Sequence, residues 1–279
     1  MVKRTALEQT RPSPSGRTRG LVSSRVSGKR VEAFSYQPAE DLRDVVAVFW
    51  TGRWDLRNQA PHVTELLSDP CVNFAFEEKG QQIESRLVGV WTRLWRRTLE
   101  ETGLVRGVKL RAGAVRAFIR TPAHRFANRI VPLGTAFDDA SEELEREALQ
   151  ANDEQAFARV AEWLRTNRID DPKVGLAVAL VDRIASDPEI TTVERLAEVG
   201  GFSTRDLQRL FREYVGASPK WVIRRNRLQE AALRIELDDL SSLAALAAEL
   251  GYADQAHLAR DFRNAVGKSP SEFAESVHR

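Results

Sequence analysis

The segment Leu196–Pro219, LAEVGGFSTRDLQRLFREYVGASP, returns at Leu246–Pro270 as LAAELGYADQAHLARDFRNAVGKSP, with Asp254 as the one inserted residue. The two copies share 11 identities in 24 aligned pairs. Each copy predicts a short helix, a turn at Gly201 or Gly251 and a second helix, because glycine readily adopts the positive φ that ends a helix. The repeat therefore predicts two helix-turn-helix units.

The start of the second helix in each copy is marked by a capping residue. Ser203 precedes the second helix of the first copy, and Asp206 occupies the capping-box position three residues later. In the second copy Asp254 takes the capping position, so the insertion preserves this local signal.

The second helix of the first copy combines an apolar face with a polar one. Residues at spacings of three and four predict a buried face of Leu207, Leu210, Phe211 and Tyr214. A polar stripe follows the other side, made of Arg205, Gln208, Arg209 and Arg212. Arginine can bridge guanine O6 and N7, and glutamine can bridge adenine N6 and N7, so this stripe suits the base edges of a major groove.

The second copy carries a weaker version of the stripe. Its positions are Ala256, Ala259, Arg260 and Arg263, flanked by Gln255 and His257. For His257, a DNA contact and a plain surface position are equally compatible with the sequence. We expect the first copy to supply more sequence discrimination, and the second to supply arginine contacts and apolar contact with thymine methyl groups.

The chain between the copies predicts a linker helix over Pro219–Glu236. At about 1.5 Å per residue its 18 residues span roughly 27 Å, close enough to one DNA turn for both reading helices to enter successive major grooves. Charge supports this prediction, since the window Arg205–Arg234 has eight basic and three acidic residues. Lys220, just after the proline that starts the linker helix, is placed for a phosphate contact.

The N-terminal half, before the predicted helices, has the sequence pattern of a β-rich domain over residues 31–135. Apolar and β-branched residues fill Val45–Trp54, and Val72, Phe74 and Phe76 alternate with other residues in the period of a strand. We expect one helix there, at Trp91–Glu101. Trp50, Trp54, Trp91 and Trp95 suit either core packing or an apolar ligand pocket.

These patterns predict an α+β chain in four parts: a disordered basic tail at 1–30, a small, β-rich and possibly barrel-like domain at 31–135, a helical connector at 136–170 and an all-α DNA-binding domain at 171–279. The tail has eight basic residues and one acid among polar and small residues, a composition that disfavours a packed core. It suits either a solvated tail or a non-specific DNA-tethering arm.

Composition narrows the class of protein further. The tail lacks the apolar centre of a secretory signal and the chain has no apolar run of about 18 residues, so we expect a cytoplasmic protein without membrane contact. Cys71 is the single cysteine, which excludes an internal disulfide. No pattern indicates a cofactor or a metal site, and we expect no enzyme activity.

The C-terminal residues quoted above resemble the DNA-binding domain of the AraC/XylS family, over about 100 residues. The resemblance implies a transcription regulator with double-stranded DNA as its partner. It places the family's base-contacting positions on Thr204, Arg205, Gln208 and Arg209 in the first copy, and on Gln255, Ala256, His257, Ala259 and Arg260 in the second.

The stretch from Tyr36 through Gly113, including FWTGRW and HVTELLSDPCVNFAF, resembles more loosely an N-terminal domain found fused to this module. In the broader family such a domain senses a small molecule or dimerises. The resemblance therefore leaves a small-molecule effector, a second copy of the chain and RNA polymerase as further partners to test. The alternative from another class is a DNA-repair enzyme with Cys71 as the methyl acceptor.

Overall fold

The computed structural model describes residues 13–14, 21–23, 31–66, 69–137, 142–239 and 242–278. Within these residues, all strands precede all α-helices. The strands are β1 Ser13–Pro14, β2 Leu21–Ser23, β3 Val31–Tyr36, β4 Val46–Asp55, β5 His62–Leu66, β6 Asn73–Lys79, β7 Gln82–Val88, β8 Trp95–Leu99, β9 Thr102–Leu110 and β10 Ile130–Pro132. Apart from β1 and β2, the predicted disordered tail lies outside the described residues, and its disorder stays a prediction.

The strands form two antiparallel sheets. The larger has the order β1-β3-β4-β9-β6-β7-β10, and the smaller has the order β2-β5-β8. The long strands β4 and β9 pair along their whole length and form the centre of the larger sheet. Because β1 and β10 lie at opposite edges, the sheet is open. The barrel-like alternative was therefore wrong, whereas the β-rich domain itself is confirmed.

The centre of the larger sheet is buried on both faces. Phe74 and Phe76 of β6 belong to the main core, whereas Ala75 joins a second cluster with Trp54 of β4 and Leu99 of β8. β6 is thus more deeply buried than the alternating pattern indicated. Two glycines of β9 make room for tryptophan rings, since a Cβ at Gly103 or Gly107 would overlap Trp54 or Trp50.

The helix expected at Trp91–Glu101 is a loop followed by β8. Residues 91, 94 and 95 have helical spacing, but their environments differ. Leu94 packs on the core of the second helix-turn-helix unit, whereas Trp95 pairs with Leu66 of β5. Pairing with a distant strand therefore overrides the local pattern.

The helices are α1 Glu142–Gln150, α2 Asp153–Thr166, α3 Pro172–Ser186, α4 Val193–Gly200, α5 Thr204–Leu210, α6 Pro219–Glu236, α7 Leu243–Glu249, α8 Gln255–Val266 and α9 Pro270–His278. A π-helical turn, Phe211–Val215, extends α5. The linker helix α6 has the predicted bounds. Among the described residues, no helix combines the length and the apolar character needed to cross a membrane.

Besides the cluster around Trp54, two cores pack the described elements together. The main core runs without interruption from the larger sheet through α1 and α2 into α3–α5 and the first half of α6. A separate core holds the second half of α6 with α7, α8 and α9. The first helix-turn-helix unit is thus packed as part of the N-terminal half, and the second unit is packed around its own centre.

A buried ionic network attaches the connector helices to the sheet. Arg106 of β9 lies 2.8 Å from the Asp153 carboxylate and donates to the carbonyls of Ala148, Leu149 and Ala151, which lie at or just beyond the end of α1. Tyr36 donates to the same carboxylate at 2.6 Å. Burial raises the pKa of Tyr36 to about 12, with the neighbouring carboxylate adding to the effect.

Candidate nucleic-acid interface

The first helix-turn-helix unit consists of α4, a tight turn and α5. Thr192 caps α4 by accepting from the Arg195 amide at 3.1 Å. Gly201 ends the helix with φ +70°, and the Phe202 amide donates back to the Ala197 carbonyl at 2.9 Å. This pattern closes a helix and redirects the chain within two residues. Ser203 then caps α5 by accepting from the Asp206 amide at 3.1 Å.

The second unit repeats this geometry in α7 and α8. Ser242 caps α7, Gly251 ends it with φ +69°, and the Tyr252 amide donates to the Ala247 carbonyl at 2.8 Å. Asp254 caps α8 by accepting from the His257 amide at 2.6 Å. The caps at Ser203 and Asp254 and the glycine turns are therefore as predicted, whereas Thr192 and Ser242 precede the helices that they were expected to begin.

The predicted reading face of the first unit lies on the surface. Leu207, Leu210, Phe211 and Tyr214 are buried on the inner side. On the outer side the four exposed residues are Thr204, Arg205, Gln208 and Arg209. Arg209 forms an ion pair with Asp206 one turn earlier, at 3.0 Å, and 70% of its side chain is exposed. Because exposed pairs of this kind are weak, Arg209 can leave Asp206 for a base edge at little cost.

Arg212 differs from the rest of the stripe. It lies in the π-helical turn, where the Gly216 amide donates to the Phe211 carbonyl five residues earlier instead of four. Residues in such a turn advance by a smaller angle, so Arg212 departs from the regular helical spacing used to predict the stripe. Its guanidinium lies 3.4 Å from the His124 ring nitrogen, in the N-terminal half of the chain.

Other residues of the N-terminal half also contact the π-helical turn that extends α5. Ala123 lies so close to Gly216 that a Cβ there would approach its carbonyl at 3.1 Å. Arg116 of the N-terminal half lies over the Tyr214 ring, and the Tyr214 hydroxyl donates at 2.9 Å to Asp171, the residue that caps α3. Burial raises the pKa of Tyr214 to about 12, and the Asp171 carboxylate adds to the effect. These contacts join positions about 40 to 100 residues apart, so no local sequence signal indicated them.

The predicted reading face of the second unit is exposed but carries fewer polar groups than that of the first. Gln255, Ala256, His257 and Arg260 are exposed, and Ala259 is half-buried. Arg263 is exposed and pairs with Glu272 of α9 at 3.0 Å. The structure therefore presents the two unequal faces that the sequence indicates.

Lys220 lies in the first turn of α6, which Ser218 caps by accepting from the Trp221 amide at 3.2 Å. The lysine is exposed. A cation beside the positive end of a helix provides attraction for a phosphate from both the ammonium group and the free backbone amides.

Comparison with protein families divides the chain into two matched regions. Residues 34–132 match a domain of unknown function (DUF6597), and residues 196–276 match a helix-turn-helix domain. The second match begins within α4 and contains the rest of the first unit and the whole second unit.

Curated relatives match about 30% of this chain. An uncharacterized HTH-type transcriptional regulator of Haemophilus influenzae is 36% identical over 85 residues, which are 30% of this chain and 28% of that protein. The chain thus spans little more than a quarter of the length of this relative. A probable AraC family transcriptional regulator of Rhodopseudomonas palustris has 28% identity over 35% of this chain and 93% of its own, with a TM-score of 0.32.

A shorter relative is covered over most of its length. The probable transcription factor PqrA of Proteus vulgaris is 31% identical over 84 residues, which are 30% of this chain and 68% of that protein. The helix-turn-helix match over residues 196–276 contains α5, α8 and the linker helix α6 between them. The chain therefore belongs to the AraC/XylS family of helix-turn-helix transcriptional regulators.

Proposed function

We propose that this protein is a sequence-specific DNA-binding transcription regulator that places α5 and α8 in two successive major grooves. The observation that carries the proposal is the pair of capped, exposed reading helices on the two sides of α6. With 18 residues, α6 is about 27 Å long, which suits a separation of one DNA turn once the flanking turns are added. The names of the relatives favour the same activity.

The two units have unequal tasks in this proposal. α5 reads base edges with Arg205, Gln208 and Arg209, assisted by Thr204, and Lys220 binds a phosphate beside it. α8 adds contacts from Gln255, His257 and Arg260, with Ala256 and Ala259 against thymine methyl groups. Arg212 and Arg263 contribute after leaving His124 and Glu272. The site would then be asymmetric, with one strongly read element and one weakly read element.

The N-terminal half would regulate the first unit. Support comes from the contacts of Arg116, Ala123 and His124 with the C-terminal end of the reading helix, and from the continuous main core. A small molecule or a second copy of the chain that shifts these contacts would change DNA affinity by linkage. We further propose that the protein acts in the cytoplasm and contacts RNA polymerase at the promoters it regulates.

A methyl-accepting repair enzyme is disfavoured by the state of Cys71. Burial raises the pKa of its thiol to about 12, and the Asp69 carboxylate adds to the effect. A thiol with this pKa is protonated at neutral pH, whereas the nucleophile in such chemistry is the thiolate. Incubation with alkylated DNA followed by mass spectrometry of Cys71 checks this alternative.

Selection from random DNA, followed by guanine-N7 methylation interference, tests the proposal with the full chain. We expect interference in two major-groove elements about 10 base pairs apart on one face of the duplex. Interference in one element alone, or none, would contradict the placement of both helices. As a control for sequence specificity, binding to unselected DNA should be far weaker, commonly by a factor of about 10³ or more.

A further inference from the structure

One stretch of the N-terminal half is rich in cations and free of acids. Residues 102–137 contain seven lysines and arginines and no aspartate or glutamate. Four of these cations form ion pairs with acids from other parts of the chain: Arg106, Lys109, Arg111 and Arg116. The other three are exposed and lie between β9 and β10, in residues 120–129, the arginine loop: Arg120, Arg125 and Arg129. Within the described part of the chain, no carboxylate pairs with any of these three side chains.

The arginine loop lies against the π-helical turn at the end of the first reading helix. Arg116 lies over the Tyr214 ring of this turn and donates to the Arg120 carbonyl. The His124 ring nitrogen lies 3.4 Å from the Arg212 guanidinium. The loop is therefore placed beside the predicted polar stripe of α5.

The backbone of the arginine loop is also fixed to the sheet. The Asn128 amide donates to the Val90 carbonyl at 2.8 Å, and the Gly89 amide donates to the Arg129 carbonyl at 3.0 Å. The Phe126 side chain between them in sequence is buried in the main core. A ligand would thus order the arginine side chains without having to order the backbone, which lowers the entropic cost of binding.

The arginine loop extends the basic surface of the first helix-turn-helix unit. Arg212, beside the loop, is exposed. Lys220 is exposed too, and it follows by four residues the glycine that Ala123 contacts, Gly216. With the three loop arginines, this surface carries five exposed cations.

Acids of this region are engaged or half-buried. Asp171 accepts from the Tyr214 hydroxyl at 2.9 Å and lies 3.7 Å from the Arg116 guanidinium, and Glu213 is half-buried. The surface therefore suits an extended polyanion. Double-stranded DNA carries one phosphate charge per about 1.7 Å of its axis, which matches several separate guanidinium groups better than a single small anion does.

We propose that the arginine loop binds the phosphate backbone of DNA next to the element that α5 reads. The N-terminal half would then be part of the DNA interface itself. This inference rests on the proposed function, because it requires α5 to lie in a major groove. Contacts of arginine with phosphates add affinity and position the protein, but they carry no base preference.

The salt dependence of DNA binding tests the proposal with the full chain and the selected DNA. Each phosphate contact adds about 0.9 to the slope with which log K falls against log salt concentration. Arg125→Gln should therefore reduce the slope by about 1, and the triple glutamine variant of Arg120, Arg125 and Arg129 should reduce it by about 3. An unchanged slope in the triple variant would overturn the proposal and is the result expected if an acidic protein binds the loop instead.

Two controls separate the loop from net charge and from packing. Arg57 is exposed and follows the C-terminal end of β4, about 30 Å along that strand from Val46, which pairs with Leu110 at the end of β9. Arg57→Gln should leave the slope unchanged, and an effect equal to that of Arg125→Gln would overturn the proposal. The triple lysine variant of the loop should keep most of the slope, because an ammonium group also binds phosphate. A loss as large as in the triple glutamine variant would contradict a role of charge.

Phosphate ethylation interference locates the contacts. Wild type should show interference at phosphates beside the element that Arg209 reads, and the triple glutamine variant should lose these positions and keep its base preference. Altered base preference in this variant would mean that the loop positions α5 and does not bind phosphate.

The outcomes distinguish this inference from the proposed function. If selection yields no specific DNA but the triple glutamine variant still has a lower salt slope on unselected DNA, the proposed function fails and phosphate binding by the loop stands. If a specific site is found and the slope is unchanged, the inference fails and the proposed function stands.

Discussion

In the proposed function, Arg209 is the residue on which base reading by the first unit depends most. Its ion pair with Asp206 is exposed, so removing the guanidinium should leave folding stability almost unchanged. We expect Arg209→Ala to cost about 1–3 kcal/mol of binding free energy on the selected site and to relax base preference at one position. Quantitative titration against single-base variants of the site measures both effects.

Arg195 offers a matched control for this change. It forms an equivalent exposed pair with Glu198 three residues later, at 2.7 Å, but lies on α4 outside the reading face. Arg195→Ala should leave base preference unchanged. Unaltered affinity and preference in Arg209→Ala would refute the assignment of the reading face.

Arg106 is the buried cation on which attachment of the connector helices depends. Its guanidinium satisfies the Asp153 carboxylate and three backbone carbonyls, so Arg106→Met should lower the free energy of unfolding by about 3–5 kcal/mol. Arg53 pairs with the same carboxylate but is 40% exposed, so Arg53→Met should cost much less. Urea denaturation measures the free energy of unfolding of both variants. Equal losses would mean that the burial of Arg106 does not explain the loss in Arg106→Met.

Asp153 makes this network pH-dependent. Burial alone would raise the pKa of its carboxyl, but hydrogen bonds from Tyr36 and Arg106 hold the pKa below its ordinary value of 3.8. The charged form therefore stabilises the fold fully above that ordinary value, and this contribution is lost as pH falls through the lower folded value. The stability difference between wild type and Asp153→Asn should shrink between pH 7 and pH 3. A constant difference across this range would contradict the network.

At the scale of the elements, two glycines at helix ends allow the cost of a positive φ to be measured with and without steric crowding. Gly201 has φ +70° with open space where a Cβ would lie, whereas Gly216 has φ +84° and faces the Ala123 carbonyl. Gly201→Ala should cost about 1 kcal/mol from its backbone alone, and Gly216→Ala about 2–4 kcal/mol because crowding is added. Urea denaturation curves give the free energy of unfolding of each variant. Equal costs would contradict the contact between the N-terminal half and the first reading helix.

The helix-turn-helix elements were predictable because their signals are local. Ser203, Gly201 and Asp254 mark helix ends through bonds to residues a few positions away, so the sequence predicts the turns, the caps of α5 and α8 and their exposed faces. Where the structure differs from the sequence-based prediction, the cause is a contact with residues far away in the sequence. β8 forms because β5 pairs with it, and Arg212 meets His124 across 88 positions of sequence. The π-helical turn lies where Ala123 packs, and the periodicity of α5 gave no sign of it.

At the scale of the whole molecule, the separate cores predict unequal stability. The first unit shares the main core with the sheet, whereas the second depends on the smaller core of α6–α9. Native-state hydrogen exchange should therefore show amides of α7 and α8 opening at a lower free energy than those of α5 and β9. A single opening free energy for all these elements would show that the molecule unfolds as one unit.

The base-preference profile of the full chain tests the central claim most directly. Binding to a random DNA library followed by sequencing should yield two elements about 10 base pairs apart, with stronger preference in one of them. Arg209→Ala should weaken preference in the stronger element, and Arg260→Ala should act on the other. Absence of sequence preference, two equally read elements, or loss in the wrong element would contradict two unequal reading helices joined by α6.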